Sequence, residues 1–166
     1  YAGGQGHAGA ALAALAGALL IQIGTNFAND YFDYLKGADN EERLGPLRVT
    51  QAGYVAPKTM FRNFVVTFGF AALVGLYLVY RGGWPIVLIG LLSIASGILY
   101  TAGPWPLGYL GLGDLFVLIF FGPVAVCGTF YVQALEVPEI VFYAGLGPGM
   151  LATALLAVNN LRDEPT

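Results

Sequence analysis

The chain has 166 residues, 57% of them hydrophobic and only 10% charged, and its mean hydropathy is +0.70. A soluble domain carries roughly 25% charged residues, so this composition excludes an ordinary water-soluble fold and calls for burial in lipid. The net charge of -3 excludes little, because placement matters more than sum, while the single Cys127 excludes a disulfide or a Cys-based metal site within the chain.

A spanning helix takes about 20 mostly apolar residues, which leaves room for about five spans. The first apolar run covers residues 8–32, is rich in Ala and Leu, turns polar at Asn26 and keeps helical spacing to Lys36. His7, just before it, reads as an interfacial loop residue. A charged loop with Gly and Pro follows over 37–57. The second run covers 58–80 and closes at Arg81-Gly82-Gly83. The third starts at Trp84-Pro85 and ends near Tyr100, and 101–111 is a loop rich in Gly, Pro and aromatics. The fourth run, 112–135, contains Gly122-Pro123, where a kink is expected. The fifth starts at Val137-Pro138, a normal helix opening, and reaches about Leu161 before a polar tail, 162–166. The expected fold class is therefore all-α, a multi-pass transmembrane bundle of about five helices in a single domain. The chain opens on Tyr1 without a basic n-region, so no signal peptide is expected and both ends read as cut. No P-loop or dinucleotide fingerprint is present.

Five of the seven basic residues, Lys36, Arg43, Arg48, Lys58 and Arg62, flank the loop after the first run. The positive-inside rule places that loop in the cytoplasm. If each run crosses once, the 101–111 loop and the tail at Arg162 return to the same side. Eight of the ten carboxylates then gather there: Asp30, Asp33, Asp39, Glu41, Glu42, Asp114, Asp163 and Glu164.

Four groups of residues on that side suit chemistry. At 100° per residue, Asn26, Asp30 and Asp33 point the same way, with Asn29 and Lys36 close by. Carboxylates at the rim of a membrane helix are costly and usually face a cavity. Their hard oxygens suit Mg²⁺, which commonly bridges to phosphate. Asn159, Asn160, Arg162 and Asp163 end the fifth run and repeat this amide-plus-carboxylate pattern, with Asn159 and Asp163 on one helix face. Arg43, Arg48 and Lys36 suit diphosphate oxygens, whereas Lys58 and Arg62 read as topology signals. The 100–114 stretch carries Tyr100, Trp105 and Tyr109, which border either a carbocation or only the interfacial aromatic belt. Asp114 opens the fourth run, as a helix cap or as a residue reaching the site. The plain alternative for each Asn/Asp cluster is a solvated helix end.

These segments also carry a family resemblance. Asn29-Asp30-Tyr31-Phe32-Asp33 resembles the start of the NDxxDxxxD motif of the UbiA prenyltransferase superfamily, with Gly37 in place of the last Asp and Asp39 two residues later. That variant is similar to the 1,4-dihydroxy-2-naphthoate polyprenyltransferase branch. So are the segment from Arg43 through Gly45-Pro46 and Arg48 to Gly53, the segment from Tyr100-Thr101 to Gly113-Asp114, and Asn159-Asn160-Leu161-Arg162-Asp163. The resemblance covers essentially the whole chain. It implies a bundle of nine transmembrane helices, of which this chain matches helices two to six, with the first and last three absent. The second DxxxD motif begins at Asp163 and the chain stops one residue before its closing Asp, so this piece is expected to be inactive alone.

The resemblance implies a membrane enzyme that joins a polyprenyl diphosphate to 1,4-dihydroxy-2-naphthoate, with decarboxylation, in menaquinone synthesis, at a site facing the cytoplasm of a bacterial cell. It implies Mg²⁺ as cofactor, held by Asp30, Asp33 and Asp163. It gives catalytic roles to Asp33, Asp39, Asp163 and Tyr100, and substrate contacts to Asn26, Asn29, Lys36, Arg43, Arg48, Asp114, Asn159, Asn160 and Arg162. Nothing in the pattern implies a nucleic-acid partner. The rival readings are a 4-hydroxybenzoate or homogentisate prenyltransferase, against which the Gly37/Asp39 variant argues, and a carboxylate-lined transporter. A transporter predicts polar residues at mid-membrane in several spans, and here the carboxylates collect at one side.

Overall fold

The computed structural model describes residues 6–37 and 48–163, the side chain of Asp163 excepted. Five helices follow the apolar runs: α1 (Ala8–Lys36), α2 (Pro57–Gly82), α3 (Trp84–Leu99), α4 (Gly113–Ala134) and α5 (Glu139–Asp163). All but α3 are long and apolar enough to cross a membrane. The 16 residues of α3 rise about 24 Å, enough to carry the chain back from one end of the bundle to the other. Leu12, Leu15 and Leu19 on α1, Leu73 and Leu76 on α2 and Leu151 and Leu155 on α5 are exposed. Helices apolar on their outer faces, with all backbone bonds satisfied internally, are what a bilayer accepts; the chain is an integral membrane protein.

Helix ends are set by local chemistry. His7 is the N-cap of α1 and its Nδ1 accepts from Ala10 N at 3.1 Å, so the imidazole has a structural task beyond a loop position. Gly37 closes the helix at φ 61°, a left-handed cap that a glycine adopts without strain. Pro57 and Pro85 sit in the first turns of α2 and α3, where a missing N–H costs nothing.

α1 and α2 form an antiparallel hairpin because α1 presents small residues to α2. Ala10, Gly17, Gly24 and Ala28 are all buried on α1. A β-carbon at Gly24 would come within 2.9 Å of the Phe68 ring, and one at Gly97 of α3 would collide with Thr25 of α1. The hairpin closes on an aromatic cluster, with Phe64 between Phe61 (ring centroids 5.0 Å apart) and Phe68 (6.3 Å) and Tyr31 packed beside them. At the far end Tyr131 donates to Gly82 O at 2.9 Å and Arg81 to Gln133 O at 3.1 Å, tying α2 to α4.

The expected kink lies inside α4, where a π turn runs over Phe120–Val124 and Gly122 leaves helical geometry at φ -103°, ψ -111°. Pro123 has no N–H to continue the ladder. The bend brings the α4 backbone onto α5: β-carbons at Gly122 and Gly145 would each meet the other helix's backbone at 2.9 Å. Close crossings of this type depend on glycine. Gly145→Ala in the full-length protein is expected to lower the melting temperature in detergent, at a cost of roughly 1–3 kcal/mol. Gly69→Ala on α2, where nothing lies within 4 Å of the added carbon, is expected to leave it unchanged or raise it.

Candidate active site

The last two turns of α1 carry four polar groups, and each meets a partner from elsewhere in the chain. Asp30 and Asp33 are 7% and 5% exposed. A buried carboxylate is tolerated only with hydrogen-bond or charge partners. Asp30 Oδ2 accepts from the backbone N–H of Val49 and Oδ1 from that of Thr50, both at 3.2 Å. Asp33 Oδ2 accepts from Arg48 Nη2 at 3.0 Å in an ion pair, and its Oδ1 accepts from the Tyr109 hydroxyl at 2.8 Å. Asn29 Oδ1 accepts from the Thr101 hydroxyl at 3.1 Å. Lys36 Nζ donates to the carbonyls of Thr101 and Gly103 and lies 5.1 Å from the centre of the Tyr109 ring. The end of α1 therefore joins the turn before α2 to the loop between α3 and α4.

That second loop wraps around Tyr100. β-Carbons at Gly108 and Gly113 would come within 3.0 Å and 2.8 Å of its ring and hydroxyl. Burial, then the negative charges of Asp114 and Asp33, push the Tyr100 phenol above its ordinary 10.0. It is a neutral phenol at physiological pH, able to donate a hydrogen bond and to border a cation with its ring, and it is not a base. Asp114 sits in the first turn of α4, whose cap position is held by Leu112 with no side-chain bond. Of its two expected roles, capping is not what the structure shows. Asp114 lies two residues past the cap, and its charge acts on Tyr100 instead.

The other expected residues are distributed unevenly. Asn26 is exposed: the turn at 48–50 covers the helix at Asp30 and Asp33 and stops short of it. Asn159, Asn160 and Arg162 are exposed on the last turns of α5. Thr153 Oγ1 donates to Asp114 O at 3.4 Å, so α5 runs past the start of α4 toward the same end of the bundle. Asp39 and Arg43 lie outside the described residues, as does the side chain of Asp163. Thr50 and Thr101, both buried, and the Val49 and Thr50 amides belong to the site, although these residues enter the sequence reading only as part of the segments that carry the resemblance and none is a site candidate there; Tyr109, divided in the sequence between belt and site, is bonded into the site.

Among the described residues no three His, Cys, Asp or Glu side chains gather as a metal cluster. The donor chemistry nonetheless fits Mg²⁺: Asn29 and Asp33 stand one turn apart on α1 and offer the hard oxygens that ion takes.

Fold and rim together define a multi-pass membrane protein with a buried carboxylate pair and cationic side chains at one end of its bundle. The profile of the UbiA prenyltransferase family matches residues 1–165, and the chain belongs to that family. It is 41% identical to a 1,4-dihydroxy-2-naphthoate octaprenyltransferase of Mycobacterium tuberculosis, over 94% of this chain and 53% of the relative. It is 42% identical to the protein of that name in Escherichia coli, over 96% and 54%. A third relative so named, from Haemophilus influenzae, is 40% identical over 87% and 49%. The chain spans about half the length of the curated relatives it matches. No solved structure gives a significant match.

A raised tyrosine pKa is a stability statement. The neutral phenol is favoured by the fold, so its contribution is complete below the ordinary value of 10.0 and is lost as the pH rises through the raised folded value. Tyr100→Phe is expected to flatten the alkaline fall in melting temperature above about pH 10, read by fluorescence melts in detergent across that range. An unchanged alkaline slope would contradict the assignment.

Proposed function

We propose that the full-length protein transfers a polyprenyl group from polyprenyl diphosphate to 1,4-dihydroxy-2-naphthoate in menaquinone synthesis, at the rim built by the end of α1. The observation that carries this reading is the buried Asp33 carboxylate held by Arg48 and Tyr109 at the helix end, in a chain similar to several bacterial proteins with that name. The basic loop beside it favours a site on the cytoplasmic face.

Each group has a task in the reaction. Arg48, a planar donor suited to paired phosphate oxygens, binds the diphosphate and offsets the charge that grows on it as the allylic C–O bond breaks. Asp33 and Asn29 on α1, with Asp163 on α5, would hold Mg²⁺, which when bound supplies further neutralisation of the leaving diphosphate. Lys36, which donates to two carbonyls, holds the 101–103 segment in place. The rings of Tyr100 and Tyr109 border the allylic cation and help exclude water from it. The ring carbon that bears the carboxylate then forms the new C–C bond. The ring carboxylate leaves as CO₂, and its bonding pair restores the aromatic ring. In that balance no protein base has to remove a ring proton, consistent with Tyr100 remaining a phenol.

The test is transfer of label from a radiolabelled polyprenyl diphosphate in membranes bearing the full-length protein, with dihydroxynaphthoate or 4-hydroxybenzoate as acceptor. Prenylated naphthoquinol is expected only with dihydroxynaphthoate. It is expected to vanish with EDTA and to fall roughly a hundredfold or more in Asp33→Ala. Product with 4-hydroxybenzoate alone would move the protein to another acceptor, and no Mg²⁺-dependent product would overturn the reading.

A further inference from the structure

Asp30 and Asp33 are three residues apart on one helix and both are buried, yet their partners differ in kind. Asp33 is met by side chains, Arg48 and Tyr109. Asp30, among the described residues, is met by backbone alone: one oxygen accepts from Val49 and the other from Thr50. Two consecutive amides on two oxygens of one carboxylate fix the turn in the frame of the helix. Bonds from N–H to a charged carboxylate are stronger than bonds between neutral groups.

The turn held in this way is internally braced. Ala52 N donates to Arg48 O, Gly53 N to Thr50 O, and the amides of Tyr54 and Val55 both donate to Val49 O, at 3.0–3.2 Å. It leads directly into α2 at Pro57. Because the turn moves as a unit, anchoring two of its amides anchors Arg48, the residue next to them. Arg48 then reaches Asp33 one helical turn further along α1.

We propose that Asp30 is a positioning residue: it grips the Val49–Thr50 backbone and so aims Arg48 into the site, and it does not ligate metal. The role assigned to Arg48 rests on the proposed prenyl transfer; the grip itself does not. An asparagine at position 30 has one acceptor oxygen, and its NH₂ would oppose a backbone N–H. Asp30→Asn therefore breaks the grip while keeping size and an oxygen that a metal could use.

Three measurements on the full-length protein in detergent test this. The first is trypsin cleavage after Arg48, which needs no substrate. Asp30→Asn is expected to speed it by about tenfold or more, as the loss of a charge-assisted bond implies. The second is Mn²⁺ affinity by electron paramagnetic resonance with inorganic diphosphate present. Asp30→Asn is expected to stay within about twofold of the parent, while Asp33→Asn weakens binding by about tenfold or more. The third is the KM for polyprenyl diphosphate. It should rise in Asp30→Asn and in Arg48→Gln, and the double variant should be no worse than Arg48→Gln alone, because both changes remove one arginine from its place. Should Asp30→Asn fail to fold, hydrogen exchange on the parent decides: slow exchange at Val49 and Thr50 is required, and exchange at the free-chain rate overturns the grip. Mn²⁺ affinity lost in Asp30→Asn as in Asp33→Asn, with tryptic cleavage unchanged, overturns the proposal in favour of a metal ligand. A parent protein that transfers no prenyl group overturns the proposed function, and the cleavage and exchange results still decide the grip.

Discussion

Two carboxylates buried side by side at the end of a membrane helix are the constraint on which this molecule is arranged. Unpartnered they would be costly, so the chain must bring donors to them, and it does so from two directions. The turn at 48–50 supplies two amides and a guanidinium, and the loop between α3 and α4 supplies a phenol. Asn29 and Lys36, on either side, bind that second loop at Thr101 and Gly103. The same bonds that satisfy the carboxylates therefore assemble a polar rim from segments more than 60 residues apart in sequence.

The rest of the bundle makes that convergence possible by bringing helices close. α1 lies against α2 through small residues, α3 crosses α1 at Gly97, and α4 bends at Gly122 to meet the backbone of α5. In lipid, where tails are as apolar as leucine, such packing substitutes for the hydrophobic drive of a soluble core. Leucines that would be misplaced on a soluble protein cover the outer faces.

The five helices were legible because apolar length and punctuation by Pro and Gly act locally: α1 begins and ends where the periodicity does, and Gly122-Pro123 marks the bend. The polar end of α1 was legible as a face, since Asp30 and Asp33 share it in any helix. What each carboxylate binds was not legible. The Val49 and Thr50 donors are backbone groups, which every residue but proline carries, so nothing in the sequence distinguishes them. Asn26 shows the same limit from the other side. Helical geometry puts it near Asp30, but burial depends on where the turn at 48–50 ends. Tyr109 was ambiguous for a related reason: an aromatic beside a span serves lipid or site alike until its hydroxyl is seen to meet Asp33.

The proposed reaction requires this rim to receive the diphosphate. The most direct test is an electron cryomicroscopy structure of the full-length protein with Mg²⁺ and a non-cleavable polyprenyl thiodiphosphate. Diphosphate density is expected between Arg48 and the Asn29–Asp33 face of α1, with the prenyl chain leading into the bundle. Diphosphate density at the opposite end, beside Arg81, would contradict it.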